Sequence, residues 1–386
     1  MNTQPVEYKA KAFKARKLAS VFLVIVLLIP ACARQPQPAG IEEITFQSGE
    51  FTLVGDLRTP AGIAPFPVIL IVHGSGDANR TMFGLYLPIM ERMLKAGYAV
   101  FSWDKPGNGE STGQFQTYRL LQQRAQIVLD AIEVMKTSRV IDQDRIGLWG
   151  VSQGGWVMPR VLTASDDVAF MICQSCGGMS GQDQFAFLTA AQGYCGGVPE
   201  EDTDQLESLL SELDDARMYE TYEGYLRYRQ VLDELAALRS VTLQRSVVTE
   251  TRWPSKDPTY ESSWSPMGTI AQVLIPVLAV WGERDTQVDP IQAAYAYREA
   301  LEQAGNPNYR VEVIPGVDHT LAPSETGCLS EQRQMIERVL EEKGFTLEDL
   351  DALDPQDPVL LTLGSAWPYT PAYLDLIEEW LRDLQL

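Results

Sequence analysis

Histidine and basic residues are both scarce in this chain. Its 386 residues include only two histidines, and 31 lysines and arginines stand against 52 acidic residues, giving a formal net charge of -21. Proteins that bind nucleic acid need a basic face to meet the phosphates. We therefore expect no nucleic-acid partner. Any chemistry that needs an imidazole has to use His73 or His319.

Cysteine is also sparse, with five residues in the whole chain. Cys173 and Cys176 form a C-x-x-C pair, but no second pair follows and no histidine is near in sequence, so we expect no metal site. Apart from Cys32 near the N-terminus, four cysteines remain: Cys173, Cys176, Cys195 and Cys328. In an oxidising compartment we expect one or two disulfides among them, with the connectivity left open.

The apolar run near the N-terminus falls short of the roughly 20 residues that cross a bilayer. It occupies twelve positions, 18–29, after five basic residues, and Pro30-Ala31-Cys32-Ala33 follows it. This pattern is typical of a signal peptide, so we predict one at 1–33 and export from the cytoplasm. Three outcomes stay open: a lipid on Cys32, cleavage after Ala33, and an uncleaved anchor. The first and third would attach the protein to a membrane, and the second would release it.

The rest of the chain alternates apolar strands with helices. After a linker at 34–43, strands are predicted at residues 44–47, 51–57, 68–72, 99–103, 145–149, 168–173, 277–281 and 311–314. Helices are predicted at residues 85–96, 118–138, 152–164 and 373–384. Continuous apolar strands separated by helices predict an α/β fold, with a mostly parallel sheet and helices on both faces.

One segment interrupts this alternation. Residues 179–266 lack strong strand signals, and an acidic helical stretch covers 200–243. We therefore predict a helical cap at 179–266, inserted into a core made of residues 44–178 and 267–386.

The motif Gly150-Val151-Ser152-Gln153-Gly154 has the form G-x-S-x-G. It lies directly after one predicted strand and opens a predicted helix, which is the setting of a nucleophile elbow. The turn is too tight for side chains at the two glycines, and the helix N-terminus favours developing negative charge. Ser152 is therefore the predicted nucleophile.

A serine hydroxyl needs a base, and His319 follows the last predicted strand in a short loop. The third partner should follow the preceding strand, where Gly282-Glu283-Arg284-Asp285 ends the apolar run. Asp285 is the predicted acid, which would orient the imidazole. Asp289, which precedes Pro290 and looks like a helix N-cap, and Glu283 are the alternatives.

The oxyanion formed during acyl transfer needs backbone donors. We predict the amides of Gln153, next to the nucleophile, and of Ser75, in the loop after the 68–72 strand. His73 and Asp104 are then expected to hold their loops in place.

Five motifs, HGSG, DKPGNGES, GVSQGG, GERD and GVDH, resemble those of the α/β-hydrolase superfamily, close to its esterase and serine-aminopeptidase-like branch. The resemblance covers residues 66–173 and 276–320. It implies the α/β-hydrolase fold, and the chain order Ser152, Asp285, His319 matches that of the triad in this superfamily. A serine at the elbow, rather than an aspartate, argues against a dehalogenase.

We therefore expect an exported serine hydrolase that needs no cofactor and cleaves small carboxylic esters through an acyl-enzyme intermediate. An aminopeptidase or acyl-peptide hydrolase, and a thioesterase, are the enzymatic alternatives. A binding lipoprotein on a hydrolase scaffold is the non-enzymatic one. The oligomeric state is left open.

Overall fold

The computed structural model describes residues 38–115, 119–218, 222–237, 264–346 and 364–384. The signal peptide predicted at 1–33, which includes Cys32, lies outside these ranges. Residues 238–263 of the predicted cap also lie outside them. The described residues all belong to one compact unit, Pro36–Leu386.

An eight-stranded sheet runs through the centre of the described core. Its strands are β1 Gly40–Ser48, β2 Phe51–Thr59, β3 Phe66–Val72, β4 Ala99–Trp103, β5 Ile141–Val151, β6 Val168–Gln174, β7 Val277–Gly282 and β8 Tyr309–Ile314. They are ordered β1-β2-β4-β3-β5-β6-β7-β8. β1 pairs antiparallel with β2, and β2 antiparallel with β4, whereas all later neighbours are parallel. The α/β-hydrolase fold with a mostly parallel sheet is confirmed.

Helices cover both faces of this sheet. They are α1 Leu87–Lys95, α2 Leu120–Thr137, α3 Gly154–Ala164, α4 Gly181–Cys195, α5 Glu200–Met218, α6 Tyr222–Ala237, α7 Met267–Ile270, α8 Pro290–Ala304, α9 Leu329–Lys343 and α10 Pro371–Asp383. Strand residues alternate between two cores: Leu70 packs in the core that holds α2, α3 and α8, and Ile71 in the one that holds α1 and α10. Because both faces are buried, β3 is apolar throughout.

The segment between β6 and β7 contains α4, α5 and α6. These helices share a small apolar core of their own, which includes Leu206, Leu210, Tyr228 and Val231. A disulfide from Cys195 at the end of α4 to Cys328, directly before α9, fastens the first cap helix to the core. A second disulfide joins Cys173 to Cys176, so the prediction of one or two disulfides is confirmed.

The N-terminal boundary differs from the sequence prediction. β1 begins at Gly40, inside the predicted 34–43 linker, because Gly40 through Glu43 pair in register with Thr59 through Asp56 of β2. This outer half of the edge strand is largely exposed, so it carries no apolar periodicity that would reveal it. No helix in the described ranges is both long and apolar enough to cross a membrane.

Candidate active site

Ser152 occupies the sharp turn between β5 and α3. Its φ of 52° lies in the left-handed region, which non-glycine residues rarely adopt. The two flanking glycines are needed for steric reasons. A Cβ on Gly150 would lie 2.5 Å from Met158 Cε, and one on Gly154 would lie 2.6 Å from the Val72 carbonyl oxygen. The G-x-S-x-G motif thus lets β5, α3 and β3 approach closely while the serine side chain stands out from the turn.

His319 and Asp285 form a buried pair. Nδ1 of His319 lies 2.7 Å from Oδ2 of Asp285, and the two residues are only 6% and 3% exposed. The other carboxylate oxygen of Asp285 accepts backbone N–H groups from Gln287 and Val288 at 2.8 and 2.9 Å. An ionised carboxylate can only accept, so Nδ1 carries the proton and Nε2 of the neutral ring is left as a proton acceptor.

The pKa of His319 reflects two opposing effects. Burial is the largest and disfavours the charged imidazolium, but the charge of the Asp285 carboxylate, its hydrogen bond and the charge of Asp318 together outweigh it. The pKa of His319 is therefore raised above its ordinary value of 6.5.

The end of β6 connects the serine turn to the histidine loop. The Ser152 N–H donates to the Gln174 carbonyl at 3.0 Å, and Ser175 Oγ donates to the His319 carbonyl at 2.8 Å. Ser152 and His319 therefore lie at the same carboxyl edge of the sheet, on loops held by adjacent residues. This is the edge where ligand sites of open α/β sheets form.

The other acidic candidates have different partners. Asp289 accepts the N–H groups of Ile291 and Gln292 and so caps α8, with Pro290 as the first helical residue. Glu283 accepts the Gly316 N–H at 3.0 Å on the exterior. Of the three acidic candidates, Asp285 is the one hydrogen-bonded to His319.

The two predicted oxyanion donors border the serine turn. Gln153 directly precedes α3. Ser75 follows Gly74, on which an added Cβ would lie 3.5 Å from Ser152 Cβ. Within the described part of the chain, neither the Ser75 nor the Gln153 backbone N–H has a backbone acceptor.

The second histidine lies in the interior. His73 Nε2 donates to the Trp103 carbonyl at 2.7 Å, and the ring stacks on Tyr86. Burial, followed by the charge of Lys105, lowers the pKa of His73 to about 3, so the ring is neutral. The Asp104 carboxylate accepts hydrogen bonds from the backbone N–H and the guanidinium of Arg80 and from the backbone N–H of Glu110. Both residues hold loops, as the sequence suggests.

Two buried basic side chains near the serine turn were not predicted from the sequence. Lys105 Nζ donates to the carbonyls of Gly74 and Gly76, and Arg124 donates to the Gln153 side chain and the His73 carbonyl. In the sequence, the only indication that Lys105 belongs to the site is its position in the DKPGNGES motif. Arg124 cannot be told apart in the sequence from an exposed charged residue on a helix. In the described ranges, no group of three or more His, Cys, Asp or Glu residues is placed to hold a metal ion.

Comparison with curated proteins finds partial relatives. An uncharacterised 31.7 kDa protein of the traX-finO intergenic region of Escherichia coli is 30% identical over 99 residues, which is 25% of this chain and 33% of that protein. The quorum-quenching protein AidA of Acinetobacter baumannii is 25% identical over 132 residues, covering 34% of this chain and 42% of AidA. The chain thus matches about a third to two fifths of the length of these relatives.

Similar solved structures have low sequence identity to this chain. An esterase of Pyrococcus furiosus is 16% identical with a TM-score of 0.48, covering 73% of this chain and 84% of that one. An acylaminoacyl peptidase of Pyrococcus horikoshii is 17% identical with a TM-score of 0.44, covering 73% and 38%.

A family model also matches this chain. The model described as the alpha/beta hydrolase family matches residues 69–327, a range that contains Ser152, Asp285 and His319. The match extends over more than half of the chain, and the sheet order and serine turn agree with it. This chain belongs to the alpha/beta hydrolase family.

Proposed function

We propose that this protein is an exported serine hydrolase that cleaves small carboxylic esters through an acyl-enzyme intermediate. The observation that carries the proposal is the buried hydrogen bond between His319 and Asp285, at the same sheet edge as the strained Ser152 turn. A nucleophile, a base and a residue that orients the base are the minimum set for this chemistry.

The reaction would proceed in two halves. Ser152 Oγ attacks the ester carbonyl carbon, its proton passes to Nε2 of His319, and the carbonyl oxygen becomes an oxyanion bound by the amides of Ser75 and Gln153. Collapse of this intermediate breaks the C–O bond, and the departing alkoxide takes the proton from His319. Water, activated by the neutral His319, then attacks the acyl-serine and releases the acid and free Ser152.

Export is supported by the N-terminal pattern at 1–33 and by the two disulfides, since structural disulfides are rare in reducing cytosol. Mass spectrometry of protein purified from its natural host should find a lipid on Cys32 or a start at Arg34. An intact segment 1–33 with four free thiols at the other cysteines would contradict export.

One observation favours an aminopeptidase as the second candidate. Glu207 of α5 has a pKa raised by burial and then by the carboxylates of Asp289, Asp204 and Asp183. Carboxylates gathered in this way attract the α-ammonium group of a peptide or amino-acid ester. They lie on α4, α5 and the start of α8, beside the loop that carries Asp285.

A fluorophosphonate probe followed by an acyl-ester series tests the proposal. Wild-type protein should be labelled once and should hydrolyse short esters, and Ser152→Ala should lose both properties while keeping its circular dichroism spectrum. Ser138→Ala, at the end of α2, is the matched control and should be labelled like the wild type. Labelling that survives Ser152→Ala would overturn the assignment, and a folded wild type without labelling or hydrolysis would favour a binding protein.

A further inference from the structure

The buried side chain of Lys105 is hydrogen-bonded to the loop at residues 73–76, which carries the proposed oxyanion donor Ser75. Lys105 Nζ donates to the Gly74 carbonyl at 2.7 Å and to the Gly76 carbonyl at 2.6 Å. We call this pair of hydrogen bonds the Lys105 bridge. Lys105 is only 5% exposed, and its backbone N–H donates to the carbonyl of Ala78, two residues beyond this loop, at 3.0 Å.

The Lys105 bridge acts on the peptide that contains the Ser75 N–H. Gly74 C=O and Ser75 N–H belong to one planar, trans peptide, in which the two groups point in opposite directions. Holding the carbonyl on Lys105 therefore fixes the N–H on the opposite side of that peptide. A hydrogen bond to the carbonyl also polarises the peptide and strengthens its N–H as a donor.

Two more side chains restrain the same loop. Tyr86 is 5% exposed; burial raises the pKa of its hydroxyl, and the backbone N–H of Gly74, which donates to that hydroxyl, lowers it. Arg124 donates both to the His73 carbonyl and to the Gln153 side chain, and so links the loop to the residue after the nucleophile. With the neighbouring groups engaged, the Ser75 N–H is left without a backbone acceptor in the described part of the chain.

We propose that Lys105 is a positioning residue of the oxyanion hole, which aims and polarises the Ser75 N–H toward the oxygen that becomes negative when Ser152 attacks. This inference rests on the serine-hydrolase function proposed above. Lys105 touches neither substrate nor nucleophile in this proposal and acts through the Gly74–Ser75 peptide.

The number of donors on Lys105 suits this role in either protonation state. Burial, and then the charge of Arg124, lowers the pKa of Lys105 to about 6, against the opposing effect of Asp77. A neutral amine still has two N–H groups, which equals the number of carbonyls in the Lys105 bridge. The bridge therefore persists on both sides of this pKa, and only the loss of the amine removes it.

Replacing Lys105 by methionine tests the inference, because methionine keeps the apolar stem and removes the donors. In Lys105→Met we expect kcat for a p-nitrophenyl ester to fall about tenfold to a hundredfold, with KM unchanged within about threefold. The inhibition constant of a trifluoromethyl ketone, which forms a tetrahedral adduct, should rise by the factor that kcat/KM falls. The control is Ser111→Ala. Ser111 lies in the same loop after β4 as Lys105, and its hydroxyl accepts a buried hydrogen bond from the Val54 N–H, so this variant removes a hydrogen bond but leaves residues 73–76 untouched.

A second variant covers the case in which Lys105→Met does not fold. Tyr86→Phe removes the partner of the Gly74 N–H with little change in volume and should lower kcat roughly fivefold at constant KM. The inference is wrong if folded Lys105→Met, or failing that Tyr86→Phe, keeps wild-type kcat and inhibitor affinity. It is also wrong if KM alone changes, or if Ser111→Ala shows the same kinetic loss. Failure of the proposed function is distinguishable, because then the wild type itself would show no labelling of Ser152.

Discussion

Ser152 is held in a backbone conformation that costs an L-residue roughly 1–3 kcal/mol, and its surroundings keep it there. Its N–H is bonded to the Gln174 carbonyl, and its own carbonyl accepts the N–H of Gly155 at 2.9 Å. The strain has a use, because the turn lifts the hydroxyl out of the sheet edge and places it at the start of α3.

Asp285 and Asp289 are only four residues apart but have different tasks, and substitution should separate them. Asp285→Asn should lower kcat by orders of magnitude, since the amide no longer holds the imidazole in the required tautomer. Asp289→Ala should leave kcat nearly unchanged and lower the free energy of unfolding by about 1 kcal/mol, the value of a lost N-cap. Ester kinetics and urea unfolding measure the two effects. The reverse pattern would transfer the acid role to Asp289.

The pH profile should report the His319–Asp285 pair. A base must be neutral, so kcat/KM should rise with pH through the pKa of His319, with a midpoint above 6.5. Asparagine at 285 removes the larger of the two carboxylate charges that stabilise the imidazolium and leaves burial, which destabilises it, opposed by Asp318 alone. The midpoint in Asp285→Asn should therefore move to lower pH, as followed with an activated ester. A midpoint that moves upward, or stays fixed, would mean that Asp285 does not set this pKa.

At the scale of elements, the parallel core was predictable because its signal is local. Apolar runs such as β3 indicate buried strands, and the glycines around Ser152 indicate a turn at which neighbouring backbone segments pack closely. The outer half of β1 was missed because its residues face water. The contacts of Lys105 could not be predicted for another reason: its partners Gly74 and Gly76 lie 31 and 29 residues away in the chain, and the pairing of β3 with β4 brings them together.

The pairing of the cysteines also could not be predicted from the sequence, because it depends on where α4 packs. In the structure the Gln192 side chain of α4 donates to Thr286 Oγ1 at 3.0 Å, and Thr286 Oγ1 donates to the Gly327 carbonyl at 2.7 Å. These contacts bring Cys195 and Cys328 together. The first cap helix is thus fastened beside the Asp285 loop by both hydrogen bonds and a covalent link.

The two disulfides should differ in what they contribute to stability. Cys195–Cys328 closes a separation of 133 residues, and Cys173–Cys176 one of 3. Chain entropy predicts that losing the long-range disulfide costs about 3 kcal/mol more than losing the short-range one. Urea unfolding of Cys195→Ala/Cys328→Ala, with Cys173→Ala/Cys176→Ala as the matched control, measures the difference. Equal losses would show that the cap link does not restrict the unfolded chain as expected.

For the whole molecule, the net charge of -21 affects which substrates approach. A strongly acidic surface raises the local concentration of cations and repels anions, and added salt screens both effects. A cationic amino-acid ester would therefore react faster at low salt even without a dedicated ammonium site. A carboxylate site near Glu207 would instead bind the ammonium at close range, where salt has less effect.

The substrate class can be decided with this distinction. On α4, beside the Asp285 loop, Phe185 is 47% exposed, and it offers an apolar surface suited to an acyl chain. We expect short and medium acyl esters to be cleaved with kcat/KM about 100-fold above aminoacyl anilides, a barrier difference of about 2.7 kcal/mol. Anilides are intrinsically inert, so the decisive pair is one amino-acid ester with its amine free or acetylated, compared at low and high salt. A free-amine preference that disappears at high salt agrees with the esterase and with the acidic surface. One that persists, and that Glu207→Gln abolishes, would make the protein an aminopeptidase.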